Sequence, residues 1–571
     1  MNIDNNDLQK NLNLALANIK KNNLDKASVI YKKILKKHPS NFDANFNLGT
    51  IFAKNNNLEK SVKFLEKASS INPNNEKIFN NLGLIYLNLG DNDKALETIK
   101  KAINLNPNSS IAYTHLGLIH SNLGNVNEAL NSYLNSIKLD PKNISAHYNI
   151  GNLFKRINDI EKSEKYLNNT LELDPSYLPA YNNLLELYDL SNQNEKFEEL
   201  LKKGSNIFKK NTTIILFKAK LFYKLKKFKE VVEILENIKF KKEENFKENS
   251  RLELIAKSYD QIGNYNVAYN FFEQNNELTL KIDSNNANKE IFLDSIKKRI
   301  NYFSNLNIKE WKIENKEDNF NDPVFLIGFP RSGTTLLDTI LRSHPSIDVL
   351  EEKPIIDRYV EKLEKKIESK FENLKLTNIS LKKEMRNFYF DQRNKYLINS
   401  QKSIIIDKMP LNIVYVGEIL RFFPKAKFIL AIRHPCDCVL SCFMQNFLLN
   451  HAMANFINLN DAAKMYDLVM NLWQVYINKF SINFHTIKYE DLVLNFKKSV
   501  SNLLNFLDLP WSNEVSEFYK KSQNRGMIST PSYNQVNQPL YSKSIGRWKN
   551  YENELYAAKL HLEKWIKKYD Y

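Results

Sequence analysis

Over the first third of the chain, apolar residues recur with helical spacing, and the helices they predict come in pairs of constant length. Proline closes each unit at Pro39, Pro73, Pro107, Pro141 and Pro175, each 34 residues after the last. The pairs Leu48-Gly49, Leu82-Gly83, Leu116-Gly117 and Ile150-Gly151 keep the same step, and so do the small residues Ala27, Ser61, Ala95, Ala129 and Ser163. An aromatic follows three residues after the glycine at Phe52, Tyr86 and Phe154. Small residues let two helices approach, and proline stops the second helix before the next begins. No such unit buries its apolar face alone, so the pattern predicts a stacked α solenoid. The register loosens after Pro175 but helix pairs continue over 181–209, 212–238 and 252–278. Five regular repeats and two or three degenerate ones place the solenoid at 1–278.

Residues 279–322 read as a polar join containing one helix, 290–303. From Pro323 the pattern changes to short apolar runs separated by long helical stretches. Strands are predicted over 324–328, 403–406, 427–432 and 484–489. Such alternation predicts an α/β region, 323–571, with a parallel sheet. Ligands of these sheets bind beyond the carboxyl ends of the strands. Each predicted strand ends in or runs into polar residues: Arg331-Ser332, Asp407-Lys408, Arg433-His434 and Tyr489-Glu490.

Composition narrows the function classes. The 571 residues are 43% hydrophobic and 26% charged, with no apolar run long enough to span a bilayer and no secretory signal at the start. Three cysteines, at 436, 438 and 442, make no disulfide framework, and a reducing cytoplasm is expected. Cys438 and Cys442 would share one helix face and Cys436 would not, so the trio reads as helix packing and no metal is expected. The net charge of +17 invites a nucleic-acid partner. The lysines, however, are scattered among acidic residues along helices, as on a solvated face, so no nucleic-acid partner is expected.

The segment Gly328-Phe329-Pro330-Arg331-Ser332-Gly333-Thr334-Thr335 has the glycine spacing of a P-loop between a strand and a helix. Unpaired helix amides and the hydroxyls of Ser332, Thr334 and Thr335 suit a phosphate or sulfate. Thr334 stands where a nucleoside-triphosphate enzyme carries lysine, which argues against the P-loop kinase reading.

The 34-residue unit resembles the tetratricopeptide repeat. The segment 330–336, followed by His344-Pro345, Glu351-Glu352, Asp407-Lys408-Met409-Pro410, Arg433-His434-Pro435 with Ser441, and Arg547-Trp548, resembles the sulfotransferases. It is most similar to the protein-tyrosine sulfotransferase group and to bacterial proteins that join these repeats to a sulfotransferase domain. The resemblance implies 3′-phosphoadenosine 5′-phosphosulfate as donor, a hydroxyl acceptor (saccharide, lipid, peptide or small molecule) and no metal. It implies that Arg331, Ser332, Gly333, Thr334 and Thr335 hold the 5′-phosphosulfate, that Arg433 and Ser441 hold the 3′-phosphate, and that Tyr489 and Arg547 lie at the nucleotide. Of the acids at 351 and 352, which the residues alone leave equal, it selects Glu352 as general base. Lys408, read as lying just past its strand, would stabilise the leaving phosphate, with Ser532 assisting. Two positions depart from the family pattern: Pro354 and Asp437 stand where it has arginine, which puts a tyrosine acceptor in doubt. The repeats offer either a concave surface for a protein or peptide partner or, equally, a rigid spacer or dimer support. The alternative is a repeat-based interaction scaffold whose α/β domain is inactive.

Overall fold

A computed structural model of the chain describes residues 2–241, 244–283, 287–311, 322–397, 402–523, 540 and 542–571. These form two compact units, 1–209 and 210–571.

In the first unit, helix pairs run from Asn2–Lys20 with Leu24–Lys37 to Leu178–Leu190 with Asn194–Ile207. The 34-residue signature acts where paired helices touch. A Cβ on Gly83 would lie 2.4 Å from Ile99, and one on Gly117 2.5 Å from the Tyr133 ring. The small residue of the second helix completes the approach, and the Ser61 hydroxyl donates to the Gly49 carbonyl at 2.7 Å and that of Ser163 to Gly151 at 2.9 Å. After the proline turns at 39, 73, 107 and 141 a polar residue caps the next helix: Asn41, Asn75, Ser109 and Asn143 accept from the backbone amides of Ala44, Lys77, Ala112 and Ala146.

The second unit begins earlier than the sequence boundary at 278. The looser pairs Thr212–Lys224 with Phe228–Glu236 and Asn245–Ile262 with Tyr265–Asp283 lie in it. The helix Lys289–Asn305, expected in a join, is part of the core here. Phe303 is fully buried, and a Cβ on Gly417 would come within 2.2 Å of its ring. Buried Arg299 donates to buried Glu418 at 2.7 Å.

Among the described residues five parallel strands make the sheet: β1 Val324–Gly328, β2 Ile347–Glu351, β3 Ile404–Lys408, β4 Lys427–Ile432 and β5 Asn483–Lys488, in the order β2-β3-β1-β4-β5. β1 is central, pairing Leu326 with Lys408 on one side and with Ile429 on the other. The chain leaves β1 for β2 on one side and later crosses from β3 past β1 to β4 on the other, so the carboxyl end of β1 lies at the switch point where an α/β sheet opens a crevice. Two sequence expectations are corrected. β2 was not expected as a strand, and its pairing puts Glu351 opposite Lys408. β3 runs on to Lys408, which is therefore the last residue of a strand and not a residue beyond it.

Candidate anion-binding site at the strand ends

β1 ends in a tight turn because Gly328 and Gly333 leave no room for side chains. A Cβ on Gly328 would meet the Ala431 carbonyl at 2.4 Å, and one on Gly333 would meet the Tyr489 ring at 2.7 Å. Gly333, at φ 96°, caps the helix Thr334–Ser343. Ser332 and Thr334 are buried. The Ser332 hydroxyl is buried with no hydrogen-bond partner, an orphaned polar group inside the turn. The first turn of the helix brings backbone N–H groups and the positive end of its dipole to the same place.

Arg331 lies between the glycines with a left-handed backbone, φ 67°. Its Nε donates to Ser441 Oγ at 3.0 Å. Arg433 follows β4; its Nη1 donates to the Arg331 carbonyl at 3.3 Å, its Nη2 to the Ser544 carbonyl, and its guanidinium lies 4.9 Å over the Tyr489 ring. The Arg433 Nε is buried and unpartnered. Arg331, Arg433, Asp437, Leu440, Ser441, Ser544 and Arg547 line one pocket. Loss of solvent lowers the pKa of Arg331, with Arg433 and Arg547 adding to the fall while Cys442 and Glu352 oppose it. Three guanidiniums facing one pocket make it a place for an anion.

Glu352 follows β2 and, like Arg331, has a left-handed backbone, φ 48°. Its amide donates to the Lys408 carbonyl at 2.8 Å. The Lys408 ammonium, fully buried, lies 2.8 Å from Glu352 Oε1 and 3.7 Å from Glu351 Oε1. Glu351 is buried, whereas 39% of the Glu352 side chain faces solvent. His344 fixes the lead into β2: its Nδ1 accepts from the Ser346 amide at 3.1 Å, so its Nε2 is the donor to the Pro510 carbonyl at 3.0 Å.

The structure thus gathers Arg331, Ser332, Gly333, Thr334, Arg433, Ser441, Tyr489 and Arg547 about one turn, with Thr335 one residue into its helix and Glu352 near enough to act electrostatically on Arg331. Ser441 meets Arg331 directly, whereas it was expected to act with Arg433. Ser532 lies outside the described residues. Two acids were not expected. Asp437, in the sequence a departure from the family pattern, lies 3.8 Å from Arg433 Nη2 and accepts from the backbone amides of Gly546 at 2.8 Å and Trp548 at 2.9 Å. It fastens the segment bearing Arg547 beside the pocket. Asp260, from the helix Asn245–Ile262, accepts from Arg547. Gly546, left-handed at φ 71°, makes the turn there. Cys436, Cys438 and Cys442 are free and buried on the helix Pro435–Phe443. Among the described residues no group of acids, histidines and cysteines has the arrangement of a metal site.

Residues 323–513 match the sulfotransferase family, and segments between 11 and 177 match tetratricopeptide repeats. The chain joins tetratricopeptide repeats to a sulfotransferase-family domain. Over 248 residues it is 31% identical to an uncharacterized protein of Aquifex aeolicus, covering 41% of this chain and 31% of that one. Over 240 residues it is 25% identical to the protein-tyrosine sulfotransferase of Drosophila melanogaster, covering 39% of this chain and 46% of that one. The match therefore spans less than half the length of either relative. A crystal structure of MamA is 23% identical with a TM-score of 0.26, over 29% of this chain and 92% of that one.

Proposed function

We propose that the chain transfers a sulfuryl group from 3′-phosphoadenosine 5′-phosphosulfate to a hydroxyl acceptor. The observation that carries this reading is the convergence of Arg331, Arg433 and Arg547 on one pocket beside a glycine turn with an orphaned hydroxyl. The donor fits the residues present: the turn suits a phosphosulfate with no γ-phosphate, and the unpartnered Arg433 Nε suits a further phosphate. The donor supplies the activated sulfur.

In this reading Arg331 and residues 332–335 hold the 5′-phosphosulfate, Arg433 and Ser441 the 3′-phosphate, and Tyr489 and Arg547 the nucleotide. The acceptor oxygen forms a bond to sulfur as the bond from sulfur to the bridging phosphate oxygen breaks. That electron pair stays on the phosphate, where the Lys408 ammonium offsets the growing charge. The acceptor proton passes to the Glu352 carboxylate, and Ser532 assists the leaving group. Lys408 and Glu352 lie 2.8 Å apart, so one strand-end pair supplies charge stabilisation and a base. The products are a sulfate ester and adenosine 3′,5′-bisphosphate, and no metal takes part.

No described helix is long and apolar enough to cross a membrane. The three buried free thiols support a reducing, cytoplasmic setting. The half-buried series Asn47, Asn81, His115, Asn149 and Asn183, one per repeat at the 34-residue step, supports a peptide or protein partner on the repeats. Transfer is tested by incubating the full chain with sulfur-labelled donor and a panel of saccharide, lipid, peptide and phenolic acceptors. Label should pass to at least one class with wild type and about 10²–10³-fold more slowly with Lys408→Ala; equal labelling by that variant would remove the role given to Lys408.

A further inference from the structure

Asp260 stands where helix chemistry disfavours it. It lies in the last turn of the helix Asn245–Ile262, ended by left-handed Gly263, where the exposed carbonyls repel an anion. It is also buried, which a carboxylate tolerates only with partners. Its partners come from 287 residues further along the chain. Arg547 reaches Asp260 Oδ1 with Nε at 3.2 Å and Nη2 at 2.9 Å, and the Tyr551 hydroxyl donates to the same oxygen at 2.7 Å. Gln261 donates to Oδ2 at 3.1 Å. A carboxylate that breaks its local preference, and whose only cationic partner among these donors lies far along the chain, is spending stability on placement.

The division of labour with Asp437 is plain. Asp437 holds the main chain at Gly546 and Trp548, while Asp260 holds the side chain between them. Burial alone would lower the Arg547 pKa; the charge and hydrogen bond of Asp260, with Tyr551 and Tyr223 adding to them, together raise it, so the guanidinium stays charged. Arg547 still lines the pocket with Arg331 and Arg433. A long arginine at a pocket mouth otherwise samples many rotamers and contributes little fixed charge.

We propose that Asp260 is a positioning residue for anion recognition: a helix lying before the α/β region aims Arg547 into the pocket and so completes it. This rests on the donor reading given above. The role predicts that Asp260 acts on the ligand through Arg547 and not through overall folding.

The test is calorimetric titration of the full chain with adenosine 3′,5′-bisphosphate, in wild type, Asp260→Ala, Asp260→Asn, Arg547→Ala, the Asp260→Ala/Arg547→Ala double variant and Tyr551→Phe. Asp260→Ala and Arg547→Ala should each raise Kd about tenfold, and adding the first to the second should change Kd by less than about twofold, the signature of residues acting as one unit. Tyr551→Phe, which removes the other donor to the same oxygen, should leave Kd within about twofold if the oxygen's service to Arg547 is what matters. Equal weakening by Asp260→Ala with and without Arg547, or unchanged or tighter binding in the single variant, would overturn the role. Should Asp260→Ala not fold, the near-isosteric Asp260→Asn carries the same cycle. No binding by the unaltered chain would overturn the donor reading itself, and this inference with it; binding by wild type that Asp260→Ala leaves intact overturns this inference alone.

Discussion

Arg331 and Glu352 share an uncommon backbone. Both are left-handed, at φ 67° and 48°, and neither is glycine. Such positions cost on the order of 1 kcal/mol or more each and are held by their surroundings. Arg331 is held by Ser441 and by Arg433 against its carbonyl; Glu352 is held by the Lys408 carbonyl and ammonium. Glu352→Gln keeps shape and removes the base, so transfer should fall about 10²–10⁴-fold with the melting temperature nearly unchanged. Lys408→Ala should cost about 10²–10³-fold in turnover while circular dichroism reports an unaltered fold. Labelled-donor assays check both, and wild-type rates in either variant would contradict the assigned role.

At the scale of elements, β3 carries a built-in pH response. Asp407, fully buried with the Tyr389 hydroxyl donating at 3.2 Å, has its pKa pushed by burial from 3.8 to about 7. Between those values the folded chain holds a proton that the unfolded chain releases. Its contribution is therefore complete below the unfolded pKa and is lost as pH rises through about 7. Asp407→Asn should gain on wild type by on the order of 1–3 kcal/mol when unfolding is measured at pH 8 instead of pH 5. A constant difference at the two pH values would contradict this. In the repeats, Gly117→Ala places a methyl carbon 2.5 Å from the Tyr133 ring and should destabilise the first unit by about 1–3 kcal/mol, read by denaturant melting.

The elements also explain what could be read from sequence. The helix pairs were visible because their contact residues repeat four times in register. β1, β4 and the glycine turn were visible because their apolar runs and hydroxyls sit side by side. β2 was hidden: Ile347-Asp348-Val349-Leu350-Glu351 carries an acid in mid-strand, satisfied by Arg342 at 3.2 Å and by the Val349 amide, both invisible in the sequence. The end of β3 was misplaced for the same reason, since Asp407 and Lys408 read as polar loop residues until their burial and partners are known. Asp260 could not be read at all, because its partner lies 287 positions away.

At the scale of the molecule, the helices Asn245–Ile262, Tyr265–Asp283 and Lys289–Asn305, which resemble a repeat and a join, share one core with the sheet. The net charge of +17 is spread over the chain, but three arginines line one pocket, and the proposed ligand answers to that local field and not to the total. The central claim is that this pocket takes a 3′-phosphorylated adenosine nucleotide. Titrating the full chain with adenosine 3′,5′-bisphosphate, and in parallel with ATP and Mg²⁺, tests it most directly. Saturable one-to-one binding of the bisphosphate, weakened at least about tenfold by Arg433→Ala, with no comparable binding of ATP, is the predicted result. No bisphosphate binding and no rise in melting temperature, or preferential binding of Mg²⁺-ATP, would contradict it.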